Sequence, residues 1–295
     1  MAASVSHRRK ALSICTTIII ALLVLPACSQ MLPPPPSISG HLLVVGSTAL
    51  QPLTTLAATQ FGKEHPQAHV EVRGGGSLFG LDAVNSHQAD IGDSDVYADS
   101  ALYPDPNLTD HIICIIPFSM VVNPNVPLST LTQQEIMDIF TTGKLRNWSD
   151  LGGPDLPITP VVRADTSGTR ASFLKYVLGG ASEQKNVVQT DSSLTMLHVV
   201  AQTPGAIGYV GLPSLNTSVH TLAINGHTAT AEAIAAGTYA FWGYEHMYAM
   251  SNNKNPVLAP FLQFMLTSAI QAQAQRMRYI PLTQVQLPKA TTYAQ

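Results

Sequence analysis

Three times in this chain a short apolar run stops at a turn of small residues, mostly glycine and hydroxyl-bearing, and a helical pattern begins. Leu42-Leu43-Val44-Val45 reads as a buried strand. Gly46-Ser47-Thr48-Ala49 follows, and a helix opens around Leu50-Gln51-Pro52, where proline suits a first turn. It continues through Leu53, Leu56, Ala57 and Phe61 before Pro66. Val70-Glu71-Val72 leads into Gly74-Gly75-Gly76-Ser77, with Leu78, Leu81 and Val84 at helical spacing beyond. Ile158-Thr159-Pro160-Val161-Val162 leads into Arg163-Ala164-Asp165-Thr166-Ser167-Gly168-Thr169-Arg170. Ala171 to Leu178 then reads as a helix with Phe173, Leu174 and Val177 on one face. Such units build an open α/β sheet, and their turns lie at the carboxyl ends of the strands, where these folds bind ligands.

The turns also carry a chemistry. The first backbone N–H groups of a helix lack internal partners, and the helix dipole makes that end positive. Gly168 allows close approach of the backbone, Ser167 and Thr169 add hydroxyl donors, and Arg163 and Arg170 flank the turn. Together they make a pocket for an oxyanion such as phosphate. Taken alone, this turn fits a capped surface helix equally well. The repetition is what favours a ligand site.

At 295 residues the chain is long enough for two domains, and with charged residues at 11% it has a globular composition. The amino terminus reads as a targeting segment. His7-Arg8-Arg9-Lys10 is basic, Ala11 to Leu25 is apolar but short for a membrane span, and Leu25-Pro26-Ala27-Cys28 resembles a lipoprotein cleavage site. Cleavage would fall before Cys28, with lipid on its sulfur. A plain amino-terminal membrane anchor would leave the protein in the same place. Residues 1–27 hold three basic residues and no acid, so the remainder carries 12 basic and 18 acidic residues, a net of −6. That balance argues against general nucleic-acid binding. Residues 28–40, with Pro33-Pro34-Pro35-Pro36, read as a stiff tether behind the acylated cysteine. Cys15 lies in the leader, and Cys114, in an apolar run, reads as a core residue. The run Ile112–Ile116 is expected to end at Pro117, with a turn at Asn123-Pro124, and Val257 to Ala269 has helical spacing. No zinc-like histidine spacing, Walker A loop or nucleophile elbow is evident; Pro66 separates His65 from His69.

The order and spacing of several pieces resemble the phosphate-binding proteins of bacterial high-affinity phosphate ABC importers, over nearly all of the mature chain. These are Gly46-Ser47-Thr48, Gly76-Ser77, Ala89-Asp90-Ile91-Gly92-Asp93-Ser94-Asp95 and Arg163 to Arg170. Gly143 to Trp148, Gly205-Ala206-Ile207-Gly208-Tyr209-Val210 and Gly237-Thr238-Tyr239 also fit. The resemblance implies a two-lobed periplasmic-binding-protein-like α/β fold of type II. Each lobe is a mixed sheet flanked by helices, with the ligand in the cleft between them. Residues 41–117 and 244–295 would form the first lobe and 118–243 the second. It further implies a monomeric, lipid-anchored binding protein at the outer face of the cytoplasmic membrane. Such a protein hands inorganic phosphate to ABC permease subunits and uses no cofactor, metal or catalytic group.

Carried over by motif, Thr48 gives a hydroxyl and, with Ala49, backbone N–H groups. Ser77 donates from the second turn, Arg163 supplies charge-assisted bonds, and Ser167, Gly168 and Thr169 donate from the opposite lobe. Asp95 makes sense in an anion site only as an acceptor of a ligand proton. Phosphate near neutral pH keeps one and sulfate keeps none, so Asp95 would repel sulfate. Asp93 competes for this role, and both aspartates also fit a loop capping its own backbone. Asp165 is expected to pair with Arg163 and orient it, Arg170 to pair with an acid or line the rim, and Trp148 to pack. Capture of another oxyanion remains an alternative. So does phosphatase chemistry, which would need a nucleophile with a base beside it, or a metal.

Overall fold

The computed structural model describes Met1, residues 37–185 and residues 187–285. The leader beyond Met1, Cys28 and the tether to Pro36 therefore lie outside the described residues. The first six elements are β1 (Gly40–Gly46), α1 (Gln51–Glu64), β2 (Ala68–Gly74), α2 (Ser77–Asn85), β3 (Ile91–Ser94) and β4 (Leu108–Val122). β1 pairs in parallel with both β2 and β3, which brings their three carboxyl ends to one edge. Alternation decides which strand is covered on both faces. Leu42 and Val44 on one face of β1 and Val45 on the other are buried, whereas the alternating Val70-Glu71-Val72 of β2 is half-buried.

β5 (Thr130–Leu131) and α3 (Gln133–Met137) come next, followed by β6 (Thr159–Arg163) and α4 (Gly168–Ser172). Then come β7 (Val188–Thr190), α5 (Ser193–Gln202), β8 (Ala206–Gly211), β9 (His220–Ile224) and α6 (Ala231–Ala235). β6 lies parallel to β7 and β8, so Arg163 and Thr190 end neighbouring strands in register. β10 (Trp242–Met250), α7 (Leu258–Met265) and α8 (Ser268–Arg276) complete the order. β10 returns to the first elements and lies antiparallel between β3 and β4.

β4 links the two halves of the resulting sheet, whose order is β2-β1-β3-β10-β4-β8-β6-β7. Pro117 does not end the strand as expected. Leu108–Pro117 pairs with β10, and Phe118–Val122 pairs with β8 on one side and partly with β9 on the other. The missing N–H of proline falls where the ladder changes partners, so it disrupts no continuous pairing. The helix expected over Val257–Ala269 is two helices. The Thr267 side chain caps the second by accepting from the Ile270 N–H. The helix after Arg163 starts at Gly168 rather than Ala171 and widens to a π-helical turn over Phe173–Val177. Phe173 and Val177 are buried and Leu174 is half-buried.

Two aromatic clusters fix these layers. Phe61 of α1 meets Phe261 and Phe264 of α7 edge-on, at centroid distances of 5.4 and 5.3 Å. In the other half Phe173 stacks on Tyr209 of β8 at 4.1 Å, and Phe140 and Phe241 close around them. Both geometries are the favoured ones for aromatic pairs. Cys114 is buried in β4, as its apolar surroundings predict, and Trp148 is a packing residue that donates its indole N–H to the Gly205 carbonyl.

Candidate functional site

The turns that follow β1, β2, β3, β6 and β7 converge. Arg163, the last residue of β6, is 1% exposed. Its Nη2 donates to Thr48 Oγ1 at 3.0 Å and to the Asp191 carbonyl at 3.3 Å, and its Nη1 donates to Ser193 Oγ at 3.4 Å. Its Nε–H is buried without a partner among the described residues. Burial lowers the Arg163 pKa from its ordinary value, opposed first by Asp95. A guanidinium remains charged in proteins nonetheless.

Asp95 stands just past β3 and is 4% exposed. Its backbone N–H donates to Ser77 Oγ at 2.9 Å, Thr169 Oγ1 donates to its Oδ2 at 2.7 Å, and Ser47 Oγ donates to its Oδ1. Two hydroxyl donors on one carboxylate fit the ionised form. Asp93 takes a different place. It lies inside β3, fully buried, with Oδ2 accepting from Thr54 and Oδ1 without a partner among the described residues. Desolvation pushes its carboxyl well above the ordinary range. Both carboxylates accept from side-chain hydroxyls rather than from the backbone of their own segment among the described residues.

The helix starts are built as turn chemistry dictates, with one cost to the expected donors. Ser47 Oγ accepts from the N–H groups of Ala49 and Leu50 at 3.0 and 3.1 Å, so the Ala49 N–H is already engaged. Ser167 is the N-cap of α4 and accepts from the Arg170 N–H. Gly168 has no room for a side chain: an added Cβ would lie 2.3 Å from Ser77 Oγ. Beside it, Thr166 Oγ1 donates to the Gly75 carbonyl at 2.9 Å, and the Leu78 N–H donates to the Thr166 carbonyl at 3.0 Å. The turn after β6 therefore sits directly on the turn after β2.

Asp165 does not pair with Arg163. It is exposed and forms its ion pair with Arg170, whereas Arg163 is buried at the end of β6. Arg170 also binds Glu183 at 2.7 Å, Glu183 accepts from the Tyr209 hydroxyl, and that hydroxyl accepts from the Arg163 N–H. Arg170 thus braces Arg163 from behind.

Sequence reasoning missed three participants. Ser193 opens α5, where its N–H donates to Thr48 Oγ1 at 3.2 Å. The segment Thr190-Asp191-Ser192-Ser193 is a fourth strand–turn–helix start, legible by its serines but lacking the glycine that marked the others. Ser47 lies inside a motif already singled out. Glu245, fully buried on β10, gives no local signal at all.

A sheet whose strand ends converge on a buried arginine and carboxylate defines a class of ligand-capturing proteins, and sequence relationships agree. The profile of the PBP superfamily domain matches residues 33–269. The phosphate-binding protein PstS of Bacillus subtilis (strain 168) is 38% identical over 254 residues, which span 85% of this chain and 84% of that one. The chain belongs to the PBP superfamily and, within it, to the family of the phosphate-binding protein PstS. A crystal structure of a Clostridium perfringens protein, described as a phosphate ABC transporter substrate-binding protein with bound phosphate, superposes with a TM-score of 0.77. It is 26% identical and covers 82% of this chain and 100% of that one. An ABC-type phosphate transport receptor from Vibrio cholerae shares the fold, with a TM-score of 0.66 at 24% identity over 81% of this chain and 99% of that one.

Proposed function

We propose that this protein captures inorganic phosphate outside the cell and delivers it to an ABC importer. The observation that carries the reading is the buried Arg163 guanidinium with an unpartnered Nε–H, surrounded by hydroxyls and opposed by Asp95. An unpaired buried donor is costly, and an anion accepting from it removes that cost. Thr48, Ser77, Ser167, Gly168, Thr169 and Arg163 are the ligand donors on this reading, with Ala49 contributing backbone once Ser47 yields its N–H. Asp95 accepts the ligand's proton. The hydroxyls are engaged with carboxylates, with the arginine and with helix N–H groups. That arrangement suits binding better than nucleophilic attack.

The first lobe comprises residues 41–117 and 244–295 and the second 118–243. The change of partners at Pro117–Phe118 and the return along β10 support these limits. Bonds such as Arg163 to Thr48 and Thr169 to Asp95 then join the lobes, so ligand favours the closed arrangement. The chain acts as a monomer, exported and held at the outer face of the cytoplasmic membrane by lipid on Cys28. Calorimetry of residues 37–295 with phosphate, sulfate and arsenate tests the binding. One phosphate per chain with sulfate rejected is expected; no heat with phosphate refutes the proposal, and equal binding of sulfate favours a general oxyanion receptor. Fatty-acid labelling of wild type, lost in Cys28→Ala, tests the anchor.

A further inference from the structure

Behind Asp95 lies a group that the binding reading does not use. Glu245 is 0% exposed, and neither of its carboxyl oxygens has a hydrogen-bond partner of full geometry among the described residues. β10 runs antiparallel to β3 with His246 opposite Ser94 and Met247 opposite Asp93, so Glu245 comes next toward Asp95, which stands just past the end of β3. Cys114 of β4 is its neighbour on the other side. The titratable groups that face it are Asp95 and Asp93 from β3, Cys114 from β4 and Tyr279 after α8. None of these is a cation. His246, next along β10, turns away to Asp110.

Of these three buried carboxyls, Asp95 is the one that faces a cation, Arg163. An isolated ionised carboxylate in such a place is too costly to persist, so the cluster supports one negative charge and the other groups hold their protons. The charge belongs on Asp95, which receives hydroxyl donors from Ser47 and Thr169. A neutral Glu245 has one O–H to give, and Asp95, one residue beyond the end of the β3–β10 ladder, is the carboxylate next to it.

Resting on the phosphate-binding reading, we infer that Glu245 is the proton-bearing partner of Asp95. As a neutral acid it donates to the Asp95 carboxylate, fixes its orientation toward the ligand, and so maintains rejection of fully deprotonated oxyanions. Glu245 is a positioning residue: it acts on the ligand through Asp95. Desolvation, with Asp95 and Asp93 adding to it, pushes its carboxyl well above the ordinary range, in keeping with this role.

The test compares wild type, Glu245→Gln and Glu245→Leu for phosphate and sulfate binding across acid to neutral pH. Glu245→Gln stays neutral and keeps a donor, so its phosphate-to-sulfate ratio should match wild type. Glu245→Leu removes the donor, the Asp95 carboxylate is no longer held toward the ligand from behind, and sulfate should gain on phosphate. The ratio at fixed pH should fall roughly tenfold, the scale of one charge-assisted hydrogen bond. An unchanged ratio in Glu245→Leu overturns the inference. So does tighter binding of both anions by Glu245→Gln, which would mean that an ionised Glu245 had been removed. Infrared difference spectroscopy of wild type against Glu245→Gln decides the protonation state even if Glu245→Leu fails to fold. A neutral-carboxyl carbonyl band assigned to Glu245 supports the inference, and its absence overturns it. If wild type binds no phosphate, the functional reading fails, while this band still reports on Glu245.

Discussion

Replacing Gly168 by alanine perturbs the point where the two halves of the site touch. The glycine opens α4 in ordinary backbone, so alanine brings no conformational penalty there. Space is the constraint. The new Cβ would lie 2.3 Å from Ser77 Oγ, 2.9 Å from Ser77 Cβ and 3.0 Å from Asp95 Cβ. Ser77 is fully buried and already bonded to the Asp95 N–H, so it cannot swing aside without losing that bond. Overpacking of this kind costs about 1–3 kcal/mol. On the proposed two-lobe reading the turns meet in the liganded arrangement, so the cost should appear as roughly a 5- to 140-fold weaker phosphate affinity. Calorimetry with phosphate measures it, with thermal unfolding of the unliganded protein alongside. Gly152→Ala is the control: it has open space but φ +77°, so it should lower stability and leave affinity alone. Wild-type affinity in Gly168→Ala would refute the reasoning, because Ser77 and Gly168 would then not meet in the bound state.

Arg163→Ala should weaken phosphate without admitting sulfate, whereas Asp95→Asn should lower the phosphate-to-sulfate ratio, about tenfold for 1.4 kcal/mol. Competition binding at fixed pH checks both, and an unchanged ratio in Asp95→Asn removes Asp95 as the proton reader. Asp165→Ala should leave phosphate affinity within about twofold, since an exposed ion pair contributes little; a large loss would show that it orients Arg163 after all. The raised carboxyls of Asp93 and Glu245 make folded protein hold protons that unfolded chain releases. Their stabilising effect is complete below the ordinary carboxyl value of about 4 and declines as pH rises toward their folded values. Melting temperature of the unliganded protein against pH should therefore flatten in the double variant Asp93→Asn, Glu245→Gln. A slope equal to wild type would show that both are ionised in the folded state.

What the sequence determined by itself is local. A helix start needs partners for its donors within three or four residues, so Ser47 and Ser167 announced their turns, and Pro52 its first helical turn. Apolar runs of strand length announced β1 and β6, and the order of motifs identified the family and its α/β fold. What the tertiary structure decided are meetings between distant residues. Thr48 meets Ser193 across 145 positions, and Thr169 meets Asp95 across 74. Such pairings leave no periodic trace, because they depend on which strands lie side by side. Two outcomes follow from that. Asp165 was assigned to the nearer arginine in sequence, yet helix geometry gave it Arg170. Glu245 carries no local signal in the sequence, and only the antiparallel register of β10 on β3 brings it next to Asp95.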